Sequence, residues 1–248
     1  MYMFERFEIV GHRGAAAYAP ENTMSSFKKA VELGATSVEF DLRLTADGRV
    51  VVIHDEHVDR TTNGRGKVSD LTHAQLCLLD AGGWYSPEYK RTRIPLFSDE
   101  LKYLNGKVGA MIEIKDEVGW EDEKNIFSVL SIIEKYGSLK QVEIISFNHS
   151  IVRQFKIMES NLKTGILYRH NSIDWLRAAQ IARADVIHPI LPRNTQLDEA
   201  LIAKAHNHNL VVLATSNSKS EIKRLVQIGA DGICSDHPDW VVDVAKKV

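Results

Sequence analysis

Cysteine is almost missing from this chain of 248 residues: Cys77 and Cys234 are the only two. They make neither a CxxC pair nor a disulfide framework, so two buried free thiols in a reducing cytoplasm are expected. A surplus of one charge is missing too. Lys and Arg number 31 against 33 Asp and Glu, a formal net charge of −2, without the basic excess of a nucleic-acid binder. No uncharged apolar run approaches the ~20 residues needed to cross a membrane. The opening stretch Met1 to Glu8 carries Glu5, Arg6 and Glu8 and holds no apolar core of a secretion signal. These absences predict a cytoplasmic protein with no nucleic-acid partner and no integral membrane segment.

What is present is the composition of a globular protein with an ample core, 44% hydrophobic and 26% charged. Short apolar runs alternate with helical patterns. The runs read as strands are Glu8 to Gly11, Ser37 to Leu42, Gly109 to Ile114, Val142 to Ser146, Thr164 to Leu167, Asp185 to His188, Leu210 to Ala214 and Gly232 to Cys234. Helical patterns cover Phe27 to Leu33, Asn125 to Tyr136, Ile151 to Glu159, Ser172 to Ala182, Leu197 to Asn207 and Ser220 to Ile228. Such alternation predicts a parallel sheet with helical crossovers. Eight strands with no large edge to protect favour an α/β fold of the closed (β/α)8 TIM-barrel type, one domain over residues 1–248. Residues 56–95 break the rhythm. They are expected to be a small insertion after the second strand, packed over the C-terminal mouth of the barrel.

The most informative stretch is Val38-Glu39-Phe40-Asp41-Leu42. On a strand it puts both carboxylates on one face, a costly arrangement unless a cation sits between them. Asp47-Gly48 signals a two-residue hairpin, which would pair Leu42 with Ile53 and Asp41 with His54. In a barrel, chemistry belongs at the C-terminal strand ends. There the first strand leads into His12-Arg13-Gly14, and the third ends Glu113-Ile114-Lys115. Three carboxylates, Glu39, Asp41 and Glu113, with no cysteine among them, favour one hard divalent cation, Mg2+ or Ca2+, with Mn2+ a third candidate. Arg13 and Lys115 add positive charge suited to a phosphate. His12 and His54 can exchange protons near neutral pH. The pattern reads as metal-assisted phosphoester cleavage.

His12-Arg13-Gly14, Pro20-Glu21-Asn22-Thr23, Glu39-Phe40-Asp41, Val52-Ile53-His54-Asp55, Arg60-Thr61-Thr62-Asn63-Gly64 and Glu113-Ile114-Lys115, with the closing Asp231 to Pro238 run, strongly resemble the glycerophosphodiester phosphodiesterase family. The resemblance implies a (β/α)8 barrel with a small insertion. It implies Glu39, Asp41 and Glu113 as metal ligands and His12 and His54 as the catalytic acid-base pair. Arg13 and Lys115 would contact the phosphate, with Glu21 and Asn22 as further substrate-site residues and Thr23 as a helix cap. The small-molecule substrate would be a glycerophosphodiester, cleaved to glycerol 3-phosphate and an alcohol. We favour His12 as base and His54 as acid, with water or the substrate's own 2-hydroxyl as nucleophile. One departure stands out. The family often has a tryptophan in a V-W-T-x-N-like run, where this chain has Leu213-Ala214-Thr215-Ser216-Asn217. Phe147 or Trp84 would have to supply the apolar wall.

Two other functions compete. A phospholipase D-like hydrolase of lysophospholipids would use the same metal site behind a more apolar entrance. A non-catalytic phosphodiester-binding module would keep the site without turnover. Of the other histidines, His206 and His208 are expected at the surface, His188 in a structural role, and His57, His73 and His170 without partners.

Overall fold

The structure is a computed structural model that describes residues 7–117, 119–120, 122–169, 174–190 and 197–247. Alternation along the strands sorts side chains into two sets. In β2 (Ser37–Leu44), Val38, Phe40, Leu42 and Leu44 pack with Phe27, Phe97 and Leu101 in the layer between sheet and helices. Glu39, Asp41 and Arg43 therefore point to the opposite face, into the sheet's interior. The remaining strands are β1 (Glu8–Gly11), β3 (Val50–Val52), β4 (Gly109–Ile114), β5 (Val142–Ser146), β6 (Lys163–Arg169), β7 (Val186–Ile190), β8 (Val211–Thr215) and β9 (Gly232–Ser235). All but β3 run parallel, and β1 pairs with both β2 and β9, which closes an eight-stranded barrel.

The helices are α1 (Met24–Glu32), α2 (His73–Leu76), α3 (Phe97–Leu104), α4 (Glu123–Tyr136), α5 (His149–Met158), α6 (Trp175–Ala182), α7 (Glu199–His206), α8 (Lys219–Gln227) and α9 (Pro238–Ala245). Thr23 caps α1, its hydroxyl accepting from the Ser26 amide. Two helices, α3 and α9, go beyond the sequence expectations. Each is eight residues long and begins just after or on a proline, where the period has little length to declare itself. His170 and the predicted start of α6 at Ser172 lie outside the described residues.

The hairpin differs from its expected register by one residue. Leu42 pairs with Val52 and Leu44 with Val50, and Thr45 N–H donates to Arg49 O at 3.0 Å. The turn therefore holds three residues, Ala46, Asp47 and Gly48, with Gly48 at φ 70° supplying the left-handed position that such a loop requires. Asp41 then faces Ile53, whose N–H donates to Asp41 O at 3.0 Å, rather than His54. His54 reaches the barrel mouth from beyond the end of β3.

The segment after β3 has its own apolar cluster: Val58, Val68, Leu76, Ala81 and Ile94 packed on Val51 and Ile53. It is tied to the loop between β1 and α1 by Tyr85, whose hydroxyl donates to Ala17 O (2.8 Å), and by Tyr89, which donates to Tyr18 O (3.1 Å). Inside the barrel, Val10, Met111, Ile145, Leu167, Val186, Val211, Leu213 and Cys234 form an apolar plug. Towards the N-terminal end, Glu143 bonds His188 Nε2 and ion-pairs with Lys163, both at 2.8 Å. His188 is thus hydrogen-bonded to a buried carboxylate in the floor, as its structural reading anticipates. Both cysteines are free, but Cys77 is only half-buried. Among the described residues no helix is long and apolar enough to cross a membrane.

Glu100 is the unusual core residue. It is fully buried on α3, and neither carboxyl oxygen has a hydrogen-bond partner among the described residues. Burial, with a smaller push from Asp99 and an opposing pull from Lys28, raises its pKa from the usual 4.5 to about 8. The folded state therefore holds a proton that the unfolded state releases between these values, and stability falls across that window as pH rises, by up to ~1.4 kcal/mol per pH unit. Glu100→Gln is expected to flatten that slope and to raise the melting temperature at pH 9 more than at pH 5. Melting curves across this range provide the measurement.

Candidate active site

The register of the parallel strands builds the acidic cluster. Asp41 of β2 lies beside Glu113 of β4, and Glu39 sits two residues back on the same face. One oxygen from each of Glu39, Asp41 and Glu113 falls within 4.8 Å of the other two. Glu39 and Asp41 are buried and Glu113 nearly so, so three like charges share a poorly hydrated space. Lys115, two residues beyond Glu113, meets the cluster from above. Its Nζ lies 2.7 Å from Asp41 Oδ1 and 2.6 Å from Glu113 Oε1. Arg13 approaches from the other side, with Nε 3.6 Å from Asp41 Oδ2 and its backbone N–H donating to Glu39 Oε2 at 2.8 Å.

The electrostatics follow from this crowding. Burial, and then the Asp41 charge, push Glu39 up to about 7. Burial and Asp41 likewise raise Glu113, against the pull of Lys115. Burial acts on Asp41 as well, but Lys115 and Arg13 together hold it well below the usual carboxylate range. The donors are all carboxylate oxygens, so the set fits a hard divalent cation and gives a soft metal no thiolate or imidazole.

The β1–α1 loop is folded tightly to deliver Arg13. Arg13 and Asn22 both take left-handed backbone, at φ 51° and 54°. Gly14, at φ 88°, has no room for a side chain, since a Cβ would come 2.1 Å from Ser26 Oγ. Asn22 donates its amide to Asp41 Oδ2 at 2.6 Å. Glu21 accepts from Arg13 Nη1 (2.8 Å) and from Arg60 Nη1 (2.7 Å). These two residues thus stand at the site with their polar groups engaged by protein partners. Phe147 follows β5, is 40% exposed, and has the Arg169 guanidinium 6.0 Å from its ring.

Both histidines are pinned through Nδ1. His12 Nδ1 lies 2.6 Å from Asp236 Oδ1, and His54 Nδ1 lies 2.6 Å from Asp55 Oδ1. A carboxylate can only accept, so each Nδ1 carries the proton and each Nε2 is left for other work. His12 Nε2 points towards the cluster, 4.0 Å from Glu39 Oε2. Burial pulls the His12 pKa down, but the Asp236 hydrogen bond and the Glu39 charge outweigh it and the net shift is upward. For His54 burial prevails with help from Lys115 and Arg13, and the net shift is downward.

Several residues of this arrangement have no role in the sequence reading. Asp236 is itself held by the Asn217 amide, and its backbone N–H donates to Asn217 Oδ1 at 2.8 Å. Arg43 donates to the His54 carbonyl at 2.9 Å and pairs with Glu117. Asp55 and Asp236 lie within the runs that carry the family resemblance, and a histidine needing an acceptor for Nδ1 is the signal that finds them. The concern over Ala214 is resolved by strand direction. Ala214 is buried with Val212 and with Leu201, Ile222 and Leu225 of the helical layer, so it faces away from the mouth. Thr215 is the exposed residue at that end of β8.

A TIM barrel with a carboxylate triad, an arginine, a lysine and two oriented imidazoles at one mouth defines a class of phosphoester-handling hydrolase. Comparison narrows the class. Residues 12–240 match the Glycerophosphoryl diester phosphodiesterase family. YhdW of Bacillus subtilis (strain 168) is 35% identical over 242 residues, covering 96% of this chain and 98% of that protein. The glycerophosphodiester phosphodiesterase of Caldanaerobacter subterraneus subsp. tengcongensis is 34% identical over 249 residues, covering 96% and 98%. Among solved structures, an Oleispira antarctica phosphodiesterase in complex with the product sn-glycerol-3-phosphate superposes with a TM-score of 0.88 at 26% identity, covering 97% of each chain. The chain belongs to the glycerophosphoryl diester phosphodiesterase family.

Asp236→Asn tests the pinning of His12. An amide can donate as well as accept, so it no longer forces the proton onto Nδ1. The His12 pKa is expected to fall, because the hydrogen bond and charge that raise it are removed, and the ring 15N shifts should show mixed tautomers. Both are read in one NMR titration.

Proposed function

We propose that this enzyme hydrolyses glycerophosphodiesters to glycerol 3-phosphate and an alcohol, with one divalent cation, Mg2+ or Ca2+ with Mn2+ a third candidate, held by Glu39, Asp41 and Glu113. The observation that carries this reading is the gathering of three carboxylates within 4.8 Å, flanked by Arg13, Lys115 and two Nδ1-pinned histidines. The relative crystallised with sn-glycerol-3-phosphate supports the choice of product. When bound, the cation would supply Lewis acidity towards a phosphate oxygen.

The chain's own groups do the rest. Lys115 and Arg13, released in part from the carboxylates they now neutralise, stabilise negative charge on the non-bridging oxygens. Arg13 offers a planar fork for this, and Lys115 a compact point charge. His12 and His54 each present Nε2. One takes the proton of the attacking hydroxyl and the other returns a proton to the leaving alkoxide. Phe147, exposed at the rim, provides an apolar contact for the departing alcohol.

The test is an assay of glycerophosphocholine with each cation, coupled to detection of glycerol 3-phosphate. Turnover is expected with added Mg2+ or Ca2+ and is expected to vanish after exhaustive chelation. Activity that survives chelation would remove the cation from the account. His54→Ala is expected to lower kcat by ~100- to 10,000-fold, the usual worth of a placed acid or base. Wild-type turnover in that variant would remove His54 from the chemistry. Lysophospholipid cleaved in preference to glycerophosphocholine would favour the phospholipase D-like alternative.

A further inference from the structure

Arg60 lies outside the acidic cluster, yet its guanidinium joins two parts of the mouth. Nε and Nη2 donate to Asp55 Oδ2 and Oδ1 at 2.6 and 3.0 Å, and Nη1 and Nη2 donate to Glu21 Oε2 and Oε1 at 2.7 and 2.8 Å. Each carboxylate passes the contact on. Asp55 Oδ1 holds His54 Nδ1 at 2.6 Å, and Glu21 Oε1 holds Arg13 Nη1 at 2.8 Å. One guanidinium therefore lies one residue away from a histidine and from an arginine that approach the cluster from different loops. Glu21 is on the β1–α1 connection and Arg60 is on the segment after β3, 39 positions apart in sequence.

We propose that Arg60 is a positioning residue that sets His54 through Asp55 and Arg13 through Glu21, so that the segment after β3 orients both groups at once. This inference rests on the phosphodiesterase reading of the site. His54 needs such a support. The hairpin's last backbone bond is Ile53 N–H to Asp41 O, and the His54 backbone is held beyond it by Arg43 at the carbonyl, which leaves the ring to be fixed by its Nδ1 partner. A lone carboxylate on a short side chain can rotate. A bidentate guanidinium fixes its plane and, with it, the direction in which the imidazole faces. Arg13 has the same need, because its side chain leaves a left-handed backbone position and its Nε has no hydrogen-bond partner among the described residues. The Arg60 side chain is 44% exposed, so little packing depends on it. Lysine cannot replace it, since a single ammonium cannot present parallel pairs of donors to two carboxylates.

The experiment compares Arg60→Ala and Arg60→Lys with wild type, using Arg65→Ala, an exposed arginine of the same segment, as control. Kinetics with glycerophosphocholine and Mg2+, melting temperatures and the ring 15N shifts of His54 are measured for each. Both Arg60 variants are expected to lose ~10- to 100-fold in kcat, the scale of a small misplacement of reacting groups. Their His54 shifts should move, and millimolar guanidinium should partly restore Arg60→Ala. The double variant Arg60→Ala with Asp55→Asn should lose less than the product of the two single losses, because both changes act on the direction of the His54 ring. Arg60→Ala with wild-type kcat and unmoved His54 shifts would overturn the proposal. So would a kcat loss that follows the melting temperature and is neither relieved by guanidinium nor accompanied by a change at His54. If wild type turns over no glycerophosphodiester, the functional reading fails, and the His54 shifts still decide the role of Arg60.

Discussion

Three carboxylates forced together in a buried space are the constraint around which the mouth of this barrel is arranged. Parallel register sets Asp41 directly beside Glu113, and strand periodicity adds Glu39 on the same face. Their mutual repulsion must be met by positive charge. In the protein alone it is met by Lys115, within 2.7 Å of two of them, and by Arg13. The same repulsion makes the cluster a place that could hold a divalent cation, with two positive groups beside it.

The scaffold divides its interior accordingly. The apolar plug from Val10 to Cys234 separates the mouth from the floor, where the buried Glu143 carboxylate is held by Lys163 and His188. The floor set is balanced within itself, with Glu143 held low against its burial by Lys163 and His188, down to about 2. The mouth set is not balanced in this way, since Glu39 and Glu113 are both raised. Buried carboxylates raised in this way are the kind of group that marks a candidate functional site, whereas a paired one supports the fold.

Much of this is legible in the sequence. Eight apolar runs separated by helical patterns specify the closed barrel, and alternation in Val38 to Leu42 is enough to place Glu39 and Asp41 on one face. What escapes is set by tertiary geometry. The Asp47-Gly48 pair announces a turn but not its length. The three-residue loop slips the hairpin by one residue, and a one-residue slip reverses faces. His54 nevertheless arrives at the mouth, because Arg43 and Asp55 hold it beyond the end of the ladder. Ala214 shows the opposite limit. Its neighbourhood in a motif suggests a wall of the site, yet its parity along β8 sends it to the helices. Asp236 is 224 positions from His12 and Arg60 is 39 from Glu21, so spacing gives no hint of these contacts, though both residues lie in runs that mark the family.

The central claim is that the triad encloses one ion. A crystal of this protein soaked in Mn2+, with anomalous scattering recorded at the manganese edge, tests it directly. The account predicts a single strong peak within bonding distance of Glu39, Asp41 and Glu113, with the Lys115 ammonium displaced from between Asp41 and Glu113. A peak elsewhere, or Lys115 still seated between the carboxylates with no peak beside it, would contradict the account.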